Sequence, residues 1–375
     1  MEKKKKLLIA TDCFLPRWDG VSRFLYELLP YLCEQFEVTV LAPEFPGELP
    51  PLPVINLIRF PIIDFEFGDI QFSSLHYFAI KKVVAEHDLI FTQTIGPIGA
   101  ITILAAKAKK KHIVSYIHSI DWELTTKSIG KFKHFINIIT KSYARFLYRK
   151  CDLLLMPFHE LQELYRVNGI NTKSKVIFLG TDTAHFKPPI SRGEAKQKLG
   201  INPDTIVLGF VGRLAREKNL ITLYRAFRII EKKHENIKLL VVGKGIKELD
   251  KEFSSDKNVM MVGATDDVLQ YLHAMDVYVL PSLTETTSLS TVEAMATGLP
   301  VIATPVGYVK YYIKEKHNGM FFPFRNSLVL SLKLDILIRN AETRQQLGKN
   351  ARETAVKLFS FEKTANTIVE TLLRL

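Results

Sequence analysis

Apolar residues recur along this chain in two rhythms. Short runs of branched and aromatic residues alternate with longer stretches whose apolar positions repeat every three or four residues, almost from end to end. The short runs predict strands: "KLLIA", "FEVTVL", "VINLIRF", "DLIFTQ", "HIVSYIH", "DLLLMP" and "KVIFLG" in the first half. In the second half they are "TIVLGFVG", "IKLLVVG", "VMMVG", "VYVLPS", "PVIATP" and "GMFFP". Strands that alternate with helices predict βα units on parallel sheets, where burial on both faces makes each strand read as a continuous apolar run. Between the two sets lies "GTDTAHFKPPISRG", residues 180–193, whose paired prolines and flanking glycines predict an interdomain connection. The expected fold class is α/β, with two Rossmann-like, doubly wound parallel-sheet domains facing a central cleft. Ligands of such sheets bind in the crevice at the C-terminal ends of the strands.

The length of 375 residues agrees with two domains of ordinary size. With 47% hydrophobic and 24% charged residues the chain is an ordinary globular one, which excludes disorder as its main character. The opening "MEKKKKLLIATDCF" has four apolar residues between the lysines and Thr11, too few for a signal-peptide core. No uncharged apolar run approaches the roughly 18 residues of a membrane span. Cys13, Cys33 and Cys151 are odd in number and scattered, which points to free thiols and a reducing cytoplasm.

The net charge of +12 is uneven, because residues 101–150 hold nine Lys and two Arg against Asp121 and Glu123. Such a surplus suits nucleic acid, an anionic membrane surface or a phosphorylated substrate. Its densest part is "KFKHFINIITKSYARFLYRK", residues 131–150. On a helix, Phe132, Phe135, Ile136, Ile139, Tyr143, Phe146 and Leu147 form an apolar stripe, with Lys133, Lys141, Arg145 and Arg149 mostly off it. A basic amphipathic helix of this kind can lie on an anionic bilayer. The alternative is that the stripe packs on a sheet and the cations are merely solvated.

No GxGxxG and no GxxxxGK[ST] occurs, so neither the dinucleotide fingerprint nor the P-loop is available, and no D-x-D offers to hold a metal against a diphosphate. In "TIVLGFVGRLAREKNLITLYRAF", residues 205–227, a strand leads to a loop bearing Arg213 and Lys218 before a helix that Asn219 can cap. Two cations beside a helix N-terminus suit a diphosphate, although two solvated surface cations would look the same. In "SLTETTSLSTVEAMATGLPV", residues 282–301, Glu285 falls in a loop and Glu293 within a helix that Gly298 ends. A carboxylate pair so placed can accept hydrogen bonds from sugar hydroxyls. Two exposed glutamates on a helix face are the plain alternative.

Four stretches, "TDCFLPRWDGVSRFLYELLPYL", "GTDTAHFKP", "GFVGRLAREKN" and "PSLTETTSLSTVEAMATGLPVIATPVG", resemble the retaining glycosyltransferases of family 4, whose fold is GT-B. The last matches that family's E-x7-E motif. The resemblance implies an acceptor-binding domain over 1–185, a nucleotide-sugar-binding domain over 186–355, and a C-terminal helix over 356–375 that crosses back to the first. It implies that Arg213 and Lys218 hold the donor diphosphate, that Glu293 binds the nucleotide ribose, and that Glu285 faces the transferred sugar. Gly20 resembles the family glycine that approaches the donor phosphate, and His118 the histidine that meets the sugar. Thr286, Thr287, Ser288, Leu289, Gly263 and Ala264 complete the expected donor site. Three departures stand out. "DGV" with Asp19 replaces the common G-G-V, Thr286-Thr287-Ser288 replaces G-F-G, and "VVGKG" has Lys244 where an acidic residue is common.

The chemistry so implied is transfer of a hexose with retention of configuration, through an oxocarbenium-like state, from a nucleotide-diphosphate sugar to an acceptor hydroxyl. No metal and no further cofactor is expected. The basic surplus favours a lipid or lipid-linked glycan acceptor, hence a cytoplasmic protein peripheral on the inner face of the membrane. Alternatives are a soluble acceptor such as an oligosaccharide or sugar phosphate, a nucleotide-sugar epimerase, and a basic nucleic-acid-binding protein. No nucleic-acid motif with interleaved aromatics occurs, so no nucleic-acid partner is expected.

Overall fold

A computed structural model describes residues 4–67, 70–122, 133–245, 253, 255–265 and 267–375. Backbone contacts divide the chain into two units, Met1–Phe178 with Thr364–Leu375, and Leu179–Lys363.

The first unit is built on a seven-stranded sheet whose every adjacent pair is parallel. Its strands are β1 (Lys5–Ala10), β2 (Phe36–Pro43), β3 (Asn56–Phe60), β6 (Leu89–Thr92), β7 (His112–Tyr116), β8 (Leu153–Met156) and β9 (Ser174–Val176), in the order β3-β2-β1-β6-β7-β8-β9. An antiparallel hairpin of β4 (Ile62–Phe67) and β5 (Ile70–Ser73) follows β3, an element that the apolar pattern does not announce. The helices are α1 (Gly20–Gln35), α2 (Tyr77–Ala85), α3 (Pro97–Ala108), α4 (Lys133–Tyr148) and α5 (His159–Val167). In β1 the side chains of Leu7, Leu8, Ile9 and Ala10 are fully buried, as expected of a central strand covered on both faces. The start of the predicted basic helix, residues 131 and 132, lies outside the described residues.

The second unit has a six-stranded parallel sheet in the order β12-β11-β10-β13-β14-β15. These strands are β10 (Ile206–Val211), β11 (Ile237–Val242), β12 (Val259–Gly263), β13 (Val277–Leu280), β14 (Val301–Ala303) and β15 (Gly319–Phe321). Around it lie α6 (Arg192–Lys198), α7 (Leu220–Ile230), α8 (Leu269–Ala274), α9 (Leu289–Ala296), α10 (Val309–Tyr312), α11 (Ser327–Arg339) and α12 (Ala341–Phe359). Leu208, Phe210, Leu223, Phe227, Leu239, Val279 and Leu334 join helices and strands in one buried cluster. The last helix, α13 (Phe361–Leu373), is separate from α12, with a break at Ser360, and carries the chain into the first unit. There Thr364 Oγ1 donates to the Phe178 carbonyl, and Lys175 Nζ donates to Thr371 Oγ1, both at 2.8 Å.

Two guanidinium groups, Arg192 and the partly buried Arg352, gather backbone carbonyls in the second unit. Arg192 donates to the carbonyls of Leu272, His273, Met275 and Thr297, and Arg352 to those of Thr183, Phe186 and Ala296. The carbonyls of Leu272, His273, Met275, Ala296 and Thr297 lie at the ends of α8 and α9, where the last carbonyls of a helix lack intrahelical partners. Burial pulls the Arg192 pKa down to about 10.

In each sheet the strand order reverses direction once, between β1 and β6 and between β10 and β13. Loops leaving the C-terminal ends of these strand pairs diverge to opposite sides and open a crevice. The residues at those four ends are therefore the ones to weigh for function.

Candidate active site

In the second unit β10 ends at Val211, and the next residues form a tight loop with a 3-10 turn at Arg216–Lys218. Arg213, largely exposed, lies 2.7 Å from Glu217. Lys218 Nζ donates to Glu285 Oε1 at 2.7 Å, and Ser282 Oγ donates to the same oxygen at 2.7 Å. The Glu285 side chain is 8% exposed and that of Lys218 19%, so the pair is screened only weakly by water. Lys218 carries three donors, and Glu285 occupies one of them. The loop of Glu285 and the loop of Lys218 are further stitched by the backbone, where Leu283 N–H donates to the Glu217 carbonyl.

Asn219 occupies the N-cap position of α7 as expected, but its side chain does not cap the helix. It takes a left-handed conformation, φ 52°, and its amide donates to the Pro281 carbonyl while its oxygen accepts from Thr222 Oγ1. The polar side chain that could have served the helix end instead fastens the two loops together.

After β13 the chain turns through Thr286, Thr287 and Ser288 into α9. Tyr308 N–H donates to the Thr286 carbonyl at 2.9 Å and the Tyr312 hydroxyl to the Thr287 carbonyl at 2.8 Å. A Cβ on Gly307 would collide with the carbonyls of Glu285 and Thr286, so only glycine lets that turn pack there. Ser288 sits in the left-handed region at φ 58°, the conformation glycine adopts most easily. No side chain caps the N-terminus of α9; Ser288 Oγ and Thr291 Oγ1 bond each other at 2.9 Å. Glu293 lies one turn into α9 and is 3% exposed, so it is no surface glutamate. Gly298 follows the helix at φ 73°, as a C-terminal glycine does.

Arg213, Lys218, Glu285, Thr286, Thr287, Ser288, Leu289 and Glu293 thus all gather at the ends of β10 and β13 and the start of α9. Gly263 and Ala264 lie further along the sheet, at the end of β12, where the Gly243 N–H donates to the Gly263 carbonyl. Gly20 and His118 belong to the first unit. Gly20 does not lie in a loop, because it is the first residue of α1, and Asp19 caps that helix by accepting from the N–H groups of Val21 and Ser22. The departure from G-G-V is therefore a helix cap.

His118, two residues past β7, packs edge-on against Phe24 and beside Tyr116, with ring centroids 5.0 Å and 4.7 Å away. The Gln93 side-chain amide lies 2.9 Å from Nε2, within hydrogen-bond distance, and fixes the ring's orientation. Burial holds the pKa of His118 down at about 3, so the ring is neutral at physiological pH.

Matches to known proteins bear on this geometry. The family described as Glycosyl transferases group 1 matches residues 191–354, and Glycosyltransferase Family 4 matches residues 18–185. The alpha-monoglucosyldiacylglycerol synthase of Acholeplasma laidlawii is 35% identical over 284 residues, covering 70% of this chain and 69% of that one. This chain belongs to the group 1 glycosyltransferases. The Escherichia coli UDP-Gal:alpha-D-GlcNAc-diphosphoundecaprenol alpha-1,3-galactosyltransferase is 26% identical over 97% of this chain and 96% of its own length. The crystal structure of Anabaena Alr3699/HepE in complex with UDP superposes with a TM-score of 0.79 at 20% identity, over 99% of this chain and 100% of that one, a likeness that shows the GT-B fold.

Several residues of this glycosyltransferase that shape its strand ends escape a sequence reading. Asp12, at the end of β1, accepts from Thr94 Oγ1 at 2.6 Å, from Ile98 N–H at 2.8 Å and from Gly99 N–H at 3.2 Å. It thereby caps α3 from a position 82 residues or more away in sequence. Burial raises its pKa, and those hydrogen bonds work in the opposite direction. Asp121 accepts from the hydroxyls of Tyr148 and Tyr165 at 2.9 Å and 3.0 Å, and burial raises its pKa to about 6. The only local signal for Asp12 was a polar "TD" closing an apolar run, which marks a strand end and no partner.

Proposed function

We propose that this glycosyltransferase moves a hexose from a nucleotide-diphosphate sugar to a hydroxyl of a lipid or lipid-linked glycan. In this reading the anomeric configuration is retained and no metal ion takes part. The observation that carries it is the pairing of Lys218 with Glu285 beside the uncapped N-terminus of α9, at the point where the strand order reverses. A leaving diphosphate gathers negative charge, and a preset ammonium, the Arg213 guanidinium and the backbone donors of α9 can meet it without reorganisation. Glu285 orients Lys218 and leaves two of its donors for phosphate oxygens, while its own second oxygen can accept from a sugar hydroxyl. Glu293 takes the ribose, and the backbone beside Gly263 and Ala264 borders the base. His118, neutral and oriented by Gln93, takes the role of hydrogen-bond partner for a sugar hydroxyl.

The acceptor hydroxyl attacks on the face that the diphosphate leaves, its proton passes to a phosphate oxygen, and no protein nucleophile is needed. The Acholeplasma and Escherichia relatives, one an alpha-monoglucosyldiacylglycerol synthase and the other a galactosyltransferase named for a diphosphoundecaprenol substrate, support a lipid-borne acceptor. The UDP bound in the Anabaena structure supports a nucleoside diphosphate as leaving group. Among the described residues no helix is long and apolar enough to cross a membrane. The proposed location is cytoplasmic, peripheral on an anionic membrane surface.

The test is a thermal-shift series with UDP, GDP, CDP, ADP and their sugar conjugates in the presence of EDTA. One nucleotide family should stabilise the protein, and Glu293→Ala should abolish the shift. Stabilisation that appears only when a divalent ion is restored would overturn the metal-free reading. The anomer of the product, read by NMR, decides retention.

A further inference from the structure

The second unit carries a cavity of about 600 Å3 that the strand-end site does not use. It lies at the opposite edge of the sheet from Glu285, since Asp276 and Pro300 in its wall directly precede β13 and β14. Residues 188–192, Gly298 behind α9, and one side of α12 complete the wall. That wall is tightly packed. A Cβ on Gly348 of α12 would collide with the Gly298 carbonyl, so helix and turn are in direct backbone contact.

The charged side chains of the cavity are Arg192, Arg344, Lys349 and Arg352 against Asp276 and Glu353. Asp276 is already committed, because its carboxylate takes Lys196 Nζ at 2.7 Å and the Val207 N–H at 2.8 Å, and it acts on Arg192 only at longer range. Glu353 is exposed. Among the described residues no carboxylate stands within ion-pair distance of Arg192, Arg344, Lys349 or Arg352. Burial lowers the pKa of both Arg192 and Arg352, as it does for a cation held without a close counter-charge.

The bonds that the arginines make leave half of their donors over. In Arg344 one nitrogen, Nη1, donates to the carbonyls of Leu337 and Ile338. In Arg352 Nη1 alone donates to those of Thr183, Phe186 and Ala296. The other edge of each guanidinium, Nε with Nη2, makes no bond to the protein. That edge is the fork that takes two oxygens of one oxyanion. Two such forks and an ammonium favour a phosphate ester over a carboxylate, because the ester brings about two negative charges and three acceptor oxygens.

Beyond the cations the wall changes character. Pro188, Pro189, Pro300 and the fully exposed Ile190 are apolar, while Gln345 and Glu353 offer side-chain acceptors. A phosphate alone would fill only a small part of this space. A body with carbon faces for the prolines and hydroxyls for Gln345 and Glu353 matches the remainder.

We infer that this cavity is a second ligand site, apart from the proposed donor site, for a phosphorylated sugar whose phosphate meets Arg344, Arg352 and Lys349. The site does not depend on the donor reading. Arg352 also holds the Ala296 carbonyl at the end of α9, so the site and the helix that carries Glu293 share one anchor.

The experiment is isothermal titration calorimetry of the full chain, in EDTA, with glucose 6-phosphate, glucose and inorganic phosphate as probes. Glucose 6-phosphate should bind, glucose should not, and phosphate should bind about tenfold or more weakly than the ester. Arg344→Lys keeps the charge but removes the fork, and should weaken glucose 6-phosphate about tenfold. Lys349→Gln should weaken it about threefold. Ala341→Trp puts an indole into the cavity from the exposed start of α12 and should abolish binding. Neither Lys349 nor Ala341 makes a side-chain bond, so these two variants decide the matter even where Arg344→Lys destabilises the chain. Unchanged binding in Ala341→Trp, equal binding of glucose, phosphate held as tightly as the ester, or no binding of glucose 6-phosphate at millimolar concentration would each overturn the inference.

Discussion

At the strand ends of the first unit, polar side chains are consumed by partners far along the chain: Asp12 by Thr94 and the start of α3, His118 by Gln93, Asp121 by Tyr148 and Tyr165. At the strand ends of the second unit, two short loops hold each other. Lys218 meets Glu285, Asn219 meets Pro281, and the start of α9 stays uncapped. The same architectural position is thus used in two ways. One edge is a rigid wall assembled from long-range contacts, and the other is a compact array of charge and free backbone donors. In the proposed reading the second sheet grips the diphosphate and keeps the Arg213 and Lys218 side chains 60% and 19% exposed, whereas the first faces the second substrate and buries its polar groups.

Four measurements can break or sharpen this contrast. Lys218→Ala should lower the rate of nucleoside-diphosphate release from the donor about a thousandfold, the loss typical of a preorganised charge at a leaving group. A loss below about tenfold would mean that the second edge is as structural as the first. The next effect is on pH. The folded pKa of Asp121 is raised to about 6 from an ordinary 3.8, so its stabilising effect is complete below pH 3.8 and is lost as pH rises through 6. In Asp121→Asn that slope disappears, and the stability of the parent relative to the variant should fall by about 3 kcal/mol between pH 4 and pH 7 in urea titrations. Asp12→Asn sets an amide NH2 against one of the two backbone N–H groups that the carboxylate accepts from, and should cost about 2 kcal/mol by the same assay. Asp19→Ala removes the cap of α1 and the carboxylate 3.7 Å from Arg17, and should cost about 1 kcal/mol with nucleotide binding unchanged.

How much of this was legible follows from where the partners lie. Each of the thirteen apolar runs corresponds to a strand, because burial on both faces writes itself into consecutive residues. The hairpin of β4 and β5 was not visible, since it belongs to no parallel βα unit and its apolar residues merge with those of β3. Arg213, Lys218, Glu285 and Glu293 could be put forward as candidates because their stretches resemble the family's motifs, while spacing alone left solvated surface charges as the alternative. The pairing of Lys218 with Glu285 could not, as 67 residues separate them. Asp12 with Thr94, Gln93 with His118, and Arg192 with four carbonyls are likewise invisible to spacing, because the fold alone brings them together. The basic helix was legible as amphipathic, but its sequence could not say that the small residue Ala144 turns inward while Phe135 turns out.

The turn at Thr286, Thr287 and Ser288 has its carbonyls clamped by Tyr308 and Tyr312 and its backbone pressed against Gly307. Shape and chemistry are thereby uncoupled at this point. Under the proposed donor-site reading, exchange of the half-buried Thr286 side chain leaves the main chain on its course, whereas Thr287 is 2% exposed, so position 286 is where single substitutions are expected to alter sugar preference. Selection on donor libraries should find its first gains there, before any residue of the strands has to move.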